Sequence, residues 1–95
     1  MPAYVIAEVE IQDAAAYEEY RKAVPATVAA YGGKYLARGG KVEVVEGDRR
    51  PARMVVLEFP SLAQARAWYD SPEYRPVRAI RQRTAKSHAL IIEGL

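Results

Sequence analysis

Tyr31-Gly32-Gly33-Lys34-Tyr35-Leu36-Ala37-Arg38-Gly39-Gly40 sets one short strand between two Gly-Gly pairs, with Arg38 as the last side chain before the second pair. Glycine reaches positive φ at little steric cost, so the first pair reads as the end of a helix turning into a strand. The second pair lets that strand bulge or turn, or lets another chain approach its backbone closely. The stretch therefore predicts a helix before it and β-structure around it, and raises the question of what Arg38 faces.

Working back from Tyr31, the residues Tyr17, Tyr20, Val24, Val28 and Tyr31 follow steps of three and four, a helical stripe, with Glu18, Glu19, Arg21 and Lys22 on the opposite face. Asp13 is placed to cap its start. Pro25 lies inside this helix, withholds a donor from the carbonyl of Arg21 and predicts a kink. Before it, Ala3 to Ile11 is a strand with Val5, Ala7, Val9 and Ile11 on one face and Tyr4, Ile6, Glu8 and Glu10 on the other.

Working forward, Lys41-Val42-Glu43-Val44-Val45-Glu46 alternates well enough to be a strand or ribbon, and Gly47-Asp48-Arg49-Arg50-Pro51 is a polar turn. Ala52 to Phe59 is the strongest strand of the chain, with Val55, Leu57 and Phe59 opposite Met54, Val56 and Glu58. Ser61 and Gln64 read as a capping box before a helix with Leu62, Ala65, Trp68 and Tyr69 on its apolar stripe. Ser71 as N-cap and Pro72 at the first helical position restart the helix, and Pro76 is expected to disrupt that turn before Val77, Ile80 and Thr84 face inward. Ser87 to Gly94, with Leu90, Ile91 and Ile92 at its centre, is the last strand.

Strand, helix, strand, strand, helix, strand is the ferredoxin-like α+β plan, βαββαβ. Right-handed crossovers give a four-stranded antiparallel sheet of order 4-1-3-2 with two helices on one face, and residues 1–95 make a single domain. The other face would carry Tyr4, Ile6, Met54, Val56, Leu90 and Ile92, more apolar surface than a monomer usually leaves in water. A second copy packed sheet to sheet, a homodimer forming an α/β barrel, is the economical cover.

Parity puts Glu8, Glu58 and His88 on that same outer face and leaves the facing of Arg38 open. A buried carboxylate is costly unless paired. One reading is an Arg38–Glu58 ion pair that fixes strand register. The other is a small-molecule cavity in which Arg38 holds a carboxylate or enolate and His88 or Glu58 moves protons.

Hydrophobic residues make up 51% of the chain, the net charge is +2, and there is no cysteine, which excludes disulfides and a thiol nucleophile. The amino-terminal half is net acidic and the remainder net basic, which reads as two halves of one domain neutralising each other. No apolar run is long enough to span a bilayer, and Met1-Pro2-Ala3-Tyr4 opens without a signal sequence, so a soluble cytoplasmic protein with no membrane partner is expected. No Gly-x-Gly-x-x-Gly follows a strand and no side chains show metal-ligand spacing, so no cofactor and no metal are expected. Arg75, Arg78, Arg81, Arg83 and Lys86 form a basic segment, but without interleaved aromatics and with so small a net charge, nucleic-acid binding is the weaker reading.

Tyr31-Gly32-Gly33-x-Tyr35-Leu36-x-Arg38-Gly39-Gly40, Glu46-Gly47, Glu58-Phe59-Pro60, Ala67-Trp68-Tyr69 and Ser71-Pro72-x-Tyr74 together resemble domain of unknown function 1330, a family of small bacterial proteins in the dimeric α/β-barrel group. The resemblance spans nearly the whole chain. It implies a ferredoxin-like protomer and a face-to-face homodimer, and no known reaction. Arg38, Glu58, Ser71 and Tyr74 fall on its motifs, and His88 lies outside them; these five are the candidate ligand-binding residues. Related barrels include cofactor-free monooxygenases and isomerases, an analogy of fold only. The sequence thus favours a cofactor-independent binder or enzyme for a small organic, anionic or enolisable ligand, against a purely structural homodimer with a solid interior.

Overall fold

A computed structural model describes residues 1–95, in the order β1 (Ala3–Ile11), α1 (Ala14–Ala30), β2 (Lys34–Arg38), β3 (Arg53–Phe59), α2 (Leu62–Tyr69), α3 (Tyr74–Thr84) and β4 (Ala85–Glu93). The strands form one antiparallel sheet of order β2-β3-β1-β4, the expected topology read from the other edge. Ala3, Val5, Ala7 and Val9 are buried beneath the helices, where they meet Leu57 and Phe59 of β3. Between the layers lies an aromatic cluster in which the Trp68 ring stacks on Tyr74, 4.1 Å between centroids, and lies 5.3 Å from that of Phe59.

The helix ends follow their local chemistry. Asp13 accepts from the Ala16 amide at 3.1 Å and caps α1. At the other end the amides of Gly32 and Gly33 return to the carbonyls of Ala29 and Val28. Gly33 is needed because a Cβ there would sit 2.6 Å from the Phe59 ring and 2.8 Å from Val28. Ser61 caps α2 by accepting from the Gln64 amide. The other half of the expected capping box is absent: the Gln64 side chain donates 3.0 Å to the Tyr31 carbonyl, tying the start of α2 to the end of α1.

Other expectations require correction. The helices number three and not two, because the chain does restart at Ser71 as expected: its hydroxyl donates to the Trp68 carbonyl and accepts from the Tyr74 amide, and regular helix resumes at Tyr74 in place of Pro72. Pro76 does not disrupt α3, because it sits in the first turn, where a missing N–H has no intrahelical partner to lose. β4 begins at Ala85, directly from α3. Residues 41–46 form no strand; the chain from Gly40 to Ala52 is irregular, and no residue of it joins a backbone hydrogen bond. No helix is long and apolar enough to cross a membrane.

Candidate functional site

The helix side of the sheet holds a cavity of about 30 Å³, room for one or two waters. Its wall is apolar where β1 contributes Val5, Ala7 and Val9, and aromatic where Tyr17, Tyr20, Tyr35, Trp68 and Tyr74 enter it. Its charged lining is Arg21, Arg38, Arg53 and Arg81, without a single acidic side chain.

Each arginine arrives by a separate piece of local geometry. Arg53 opposes Val9 in register and so shares the helix-facing side of the sheet. Arg81 lies seven residues after Tyr74 on the inner stripe of α3 and is only 6% exposed. The Nε atoms of both are buried with no hydrogen-bond partner, and neither guanidinium makes an ion pair or an accepted hydrogen bond within the chain. Gly39, at φ 70°, gives room to Arg53, since a Cβ there would collide with its guanidinium.

Arg38 sits at the cavity mouth. Its Nη2 donates to the carbonyl of Arg21 at 2.6 Å, and its guanidinium lies 4.7 Å from the centroid of the Tyr35 ring. That carbonyl is free to accept because the residue four positions on is Pro25, which has no N–H; α1 nevertheless runs unbroken from Ala14 to Ala30. A proline that looks like a helix defect in the sequence thus leaves an acceptor for the arginine.

Tyr74 is fully buried, and its hydroxyl lies 2.8 Å from that of Tyr20. Burial pushes the Tyr20 hydroxyl well above the usual phenol range, with Tyr74 pushing it further. Burial also raises Tyr35 and Tyr74, with Arg38 and Arg81 respectively pulling the other way. At neutral pH these phenols keep their protons and are not bases. Ser71 touches no cavity surface; by capping α3 it fixes the backbone of Tyr74.

The two remaining candidates lie across the sheet. Glu58 pairs with Lys34 at 3.1 Å, not with Arg38, so the expected Arg38–Glu58 bridge is not formed. His88 is exposed on the outer face opposite Glu8, and Glu8 is paired to Arg49. The separation has a simple cause. Lys34 opposes Glu58 and Tyr35 opposes Leu57, but a bulge at Leu36 makes Ala37 oppose Val56 and Arg38 oppose Val55. Straight alternation along β2 would send Arg38 to the outer face with Glu58; the extra residue sends it inside. The structure therefore brings Arg38 and Tyr74 to one cavity and leaves Glu58 and His88 outside it.

Arg53, Arg81, Tyr20, Tyr35 and Trp68 are cavity residues that the polar pattern of the sequence does not single out. For the two arginines a signal existed. Arg53 shares the parity of Val55 and Leu57, and Arg81 the helical stripe of Tyr74, Val77 and Thr84. The basic segment is correspondingly divided: Arg81 turns inward, and Arg78 donates to the Tyr69 carbonyl and stacks on its ring. Arg75, Arg83 and Lys86 remain exposed. No three His, Asp or Glu side chains come together as metal ligands.

A ferredoxin-like protomer with an acid-free, arginine-lined cavity beneath its helices is the class defined by these features. The chain belongs to the family described as a domain of unknown function, DUF1330, whose model matches residues 2–95. Among solved structures it resembles a protein of unknown function from Rhodopseudomonas palustris at 22% identity, with a TM-score of 0.78 over 99% of this chain and 82% of that one. A dimeric ferredoxin-like protein of unknown function from Thermobifida fusca is also 22% identical, with a TM-score of 0.70 over 99% and 92% of the two chains. SnoaB, a cofactor-independent oxygenase from Streptomyces nogalater, is 11% identical, with a TM-score of 0.66 over 99% and 93%. No curated protein matches the sequence.

Proposed function

We propose that the protein is a homodimer whose protomers each bind a small organic anion with a planar or apolar body in the cavity between sheet and helices. The observation that carries this reading is the pair Arg53 and Arg81, aimed into an acid-free cavity with no acceptor of their own. The buried Nε of each lacks an acceptor, and a carboxylate, phenolate or enolate would supply one. Trp68, Tyr35 and Tyr74 line the cavity and would give the rest of such a ligand aromatic contact. Arg38 guards the mouth, and Ser71 acts through Tyr74.

The cavity as it stands is small, so a ligand enters by displacing Arg38 and the Tyr35 ring packed against it. Any chemistry would be the stabilisation of an enolate or phenolate by guanidinium groups, without a bound cofactor. Similarity to a cofactor-independent oxygenase supports such a reaction as fold analogy only. A ligand-free structural dimer is less well supported, because its interior polar groups would satisfy one another, and these two do not.

The dimer reading rests on the outer face. Leu90 is 57% and Ile92 52% exposed there, beside partly covered Tyr4, Ile6, Met54 and Val56, and several structural relatives are described as dimeric. Glu58 and His88 then belong to the contact between copies. Thermal-shift screening with aromatic acids and 2-oxo acids at low salt tests the ligand. We expect the melting point to rise with at least one of these classes and the rise to vanish in Arg81→Met. No shift with either class would defeat the reading.

A further inference from the structure

The segment Lys41 to Glu46 remains unexplained by the cavity. Its sequence alternates like a strand, yet it forms none. Val42 and Val44 are about two-fifths exposed and Val45 is 95% exposed. Three valines left at least partly exposed, in an alternating run whose amides and carbonyls have no backbone partner, suit a strand without a neighbour.

The chain itself offers no neighbour. A hairpin continued outward from β2 and β3 would oppose this segment to residues 47–52. That stretch, Gly-Asp-Arg-Arg-Pro-Ala, lacks apolar alternation, and Pro51 has no amide to donate. The location of the arm points elsewhere. Arg49, just beyond it, pairs with Glu8 on the outer face of β1, and a hollow on that face is walled by Arg49 together with Ile6, Met54, His88 and Leu90. The arm is thus anchored beside the surface that the homodimer reading assigns to a second copy.

We infer that residues 41–46 are a clasp: in the homodimer, on which this inference rests, each arm extends across the interface and pairs as an added strand with the second copy of the chain. Two-fold symmetry makes the contact reciprocal, so two arms close over two outer faces. Main-chain hydrogen bonds supply the pairing, and the valines join the apolar layer formed by the sheet faces. β4, hydrogen-bonded on one side only, leaves an open edge suited to receive such a strand.

Hydrogen exchange of the full chain, read by mass spectrometry above and below the dimer dissociation concentration, tests this alongside the double variant Val44→Asp, Val45→Asp. Both positions are exposed in the single chain, so the variant leaves the protomer folded, as circular dichroism will verify. We expect the amides of 41–46 to exchange at least tenfold more slowly in the dimer than when diluted, and the double variant to weaken dimerisation at least tenfold. A dimer whose 41–46 amides exchange at open-chain rates, or whose affinity the double variant leaves unchanged, overturns the clasp while the face-to-face dimer stands. A monomer at every concentration overturns both.

Discussion

A guanidinium held in a cavity wall without an acceptor weakens the empty fold, because breaking its hydration is not repaid by any partner. Arg81 is in that position, and a ligand-binding role gives it a reason to be there. Arg81→Met, which keeps the length of the side chain and removes the charge, is expected to stabilise the ligand-free protein by about 1–3 kcal/mol while abolishing the response to aromatic and oxo acids. Chemical denaturation with and without ligand measures both, and a loss of stability in the variant would show that the charge is satisfied in the free protein. Arg38 depends on a different residue. Pro25→Ala supplies an amide to the Arg21 carbonyl, so Arg38 loses its anchor; faster ligand association in stopped-flow fluorescence of Trp68 is the expected result, and an unchanged rate would detach Arg38 from control of the mouth.

At the scale of elements, much of the fold is legible in side-chain pattern alone. The buried alternation of β1, the Asp13 and Ser61 caps and the double-faced apolarity of β3 each dictate an element by local chemistry. Two features, the bulge and the 41–46 segment, are not legible in this way, for physical reasons. The bulge at Leu36 inverts the facing of Arg38 and has no signature beyond nearby glycines. The division at Ser71 is legible, since a serine before a proline marks a helix start, and its hydroxyl accepts from the Tyr74 amide. The 41–46 segment has strand chemistry but no strand to join within one chain. The candidate site suffered most from the bulge, since strict alternation along β2 would group Arg38 with Glu58, across the sheet from the cavity it enters. At this scale Gly39 is the residue to change. Gly39→Ala forces a positive φ on a side-chain-bearing residue and pushes into the Arg53 guanidinium, and a loss of about 1–2 kcal/mol is expected in denaturant melts. A neutral outcome would mean that the turn and Arg53 relax freely.

For the whole molecule, burial of phenols links stability to pH. Tyr20, Tyr35 and Tyr74 have hydroxyls raised above their ordinary value in the fold. Their contribution is therefore fully present below about pH 10, where both folded and unfolded chains keep the proton. Above it the unfolded chain releases protons that the fold retains, so stability falls as pH rises. Tyr20→Phe should flatten that alkaline decline; an identical slope in the variant would contradict it. Dimerisation belongs to this scale too. Ile92→Glu places a charge in the outer apolar face, and sedimentation is expected to show a folded monomer where the parent is a dimer.

The most direct measurement is a nitrogen-15 spectrum of the arginine Nε–Hε groups recorded while benzoate is added. We expect the Arg53 and Arg81 signals, assigned from Arg53→Lys and Arg81→Met, to move saturably while those of Arg75 and Arg83 stay fixed. Signals of Arg53 and Arg81 that remain unmoved by benzoate, and equally by a 2-oxo acid, would contradict the anion seat at the centre of the molecule.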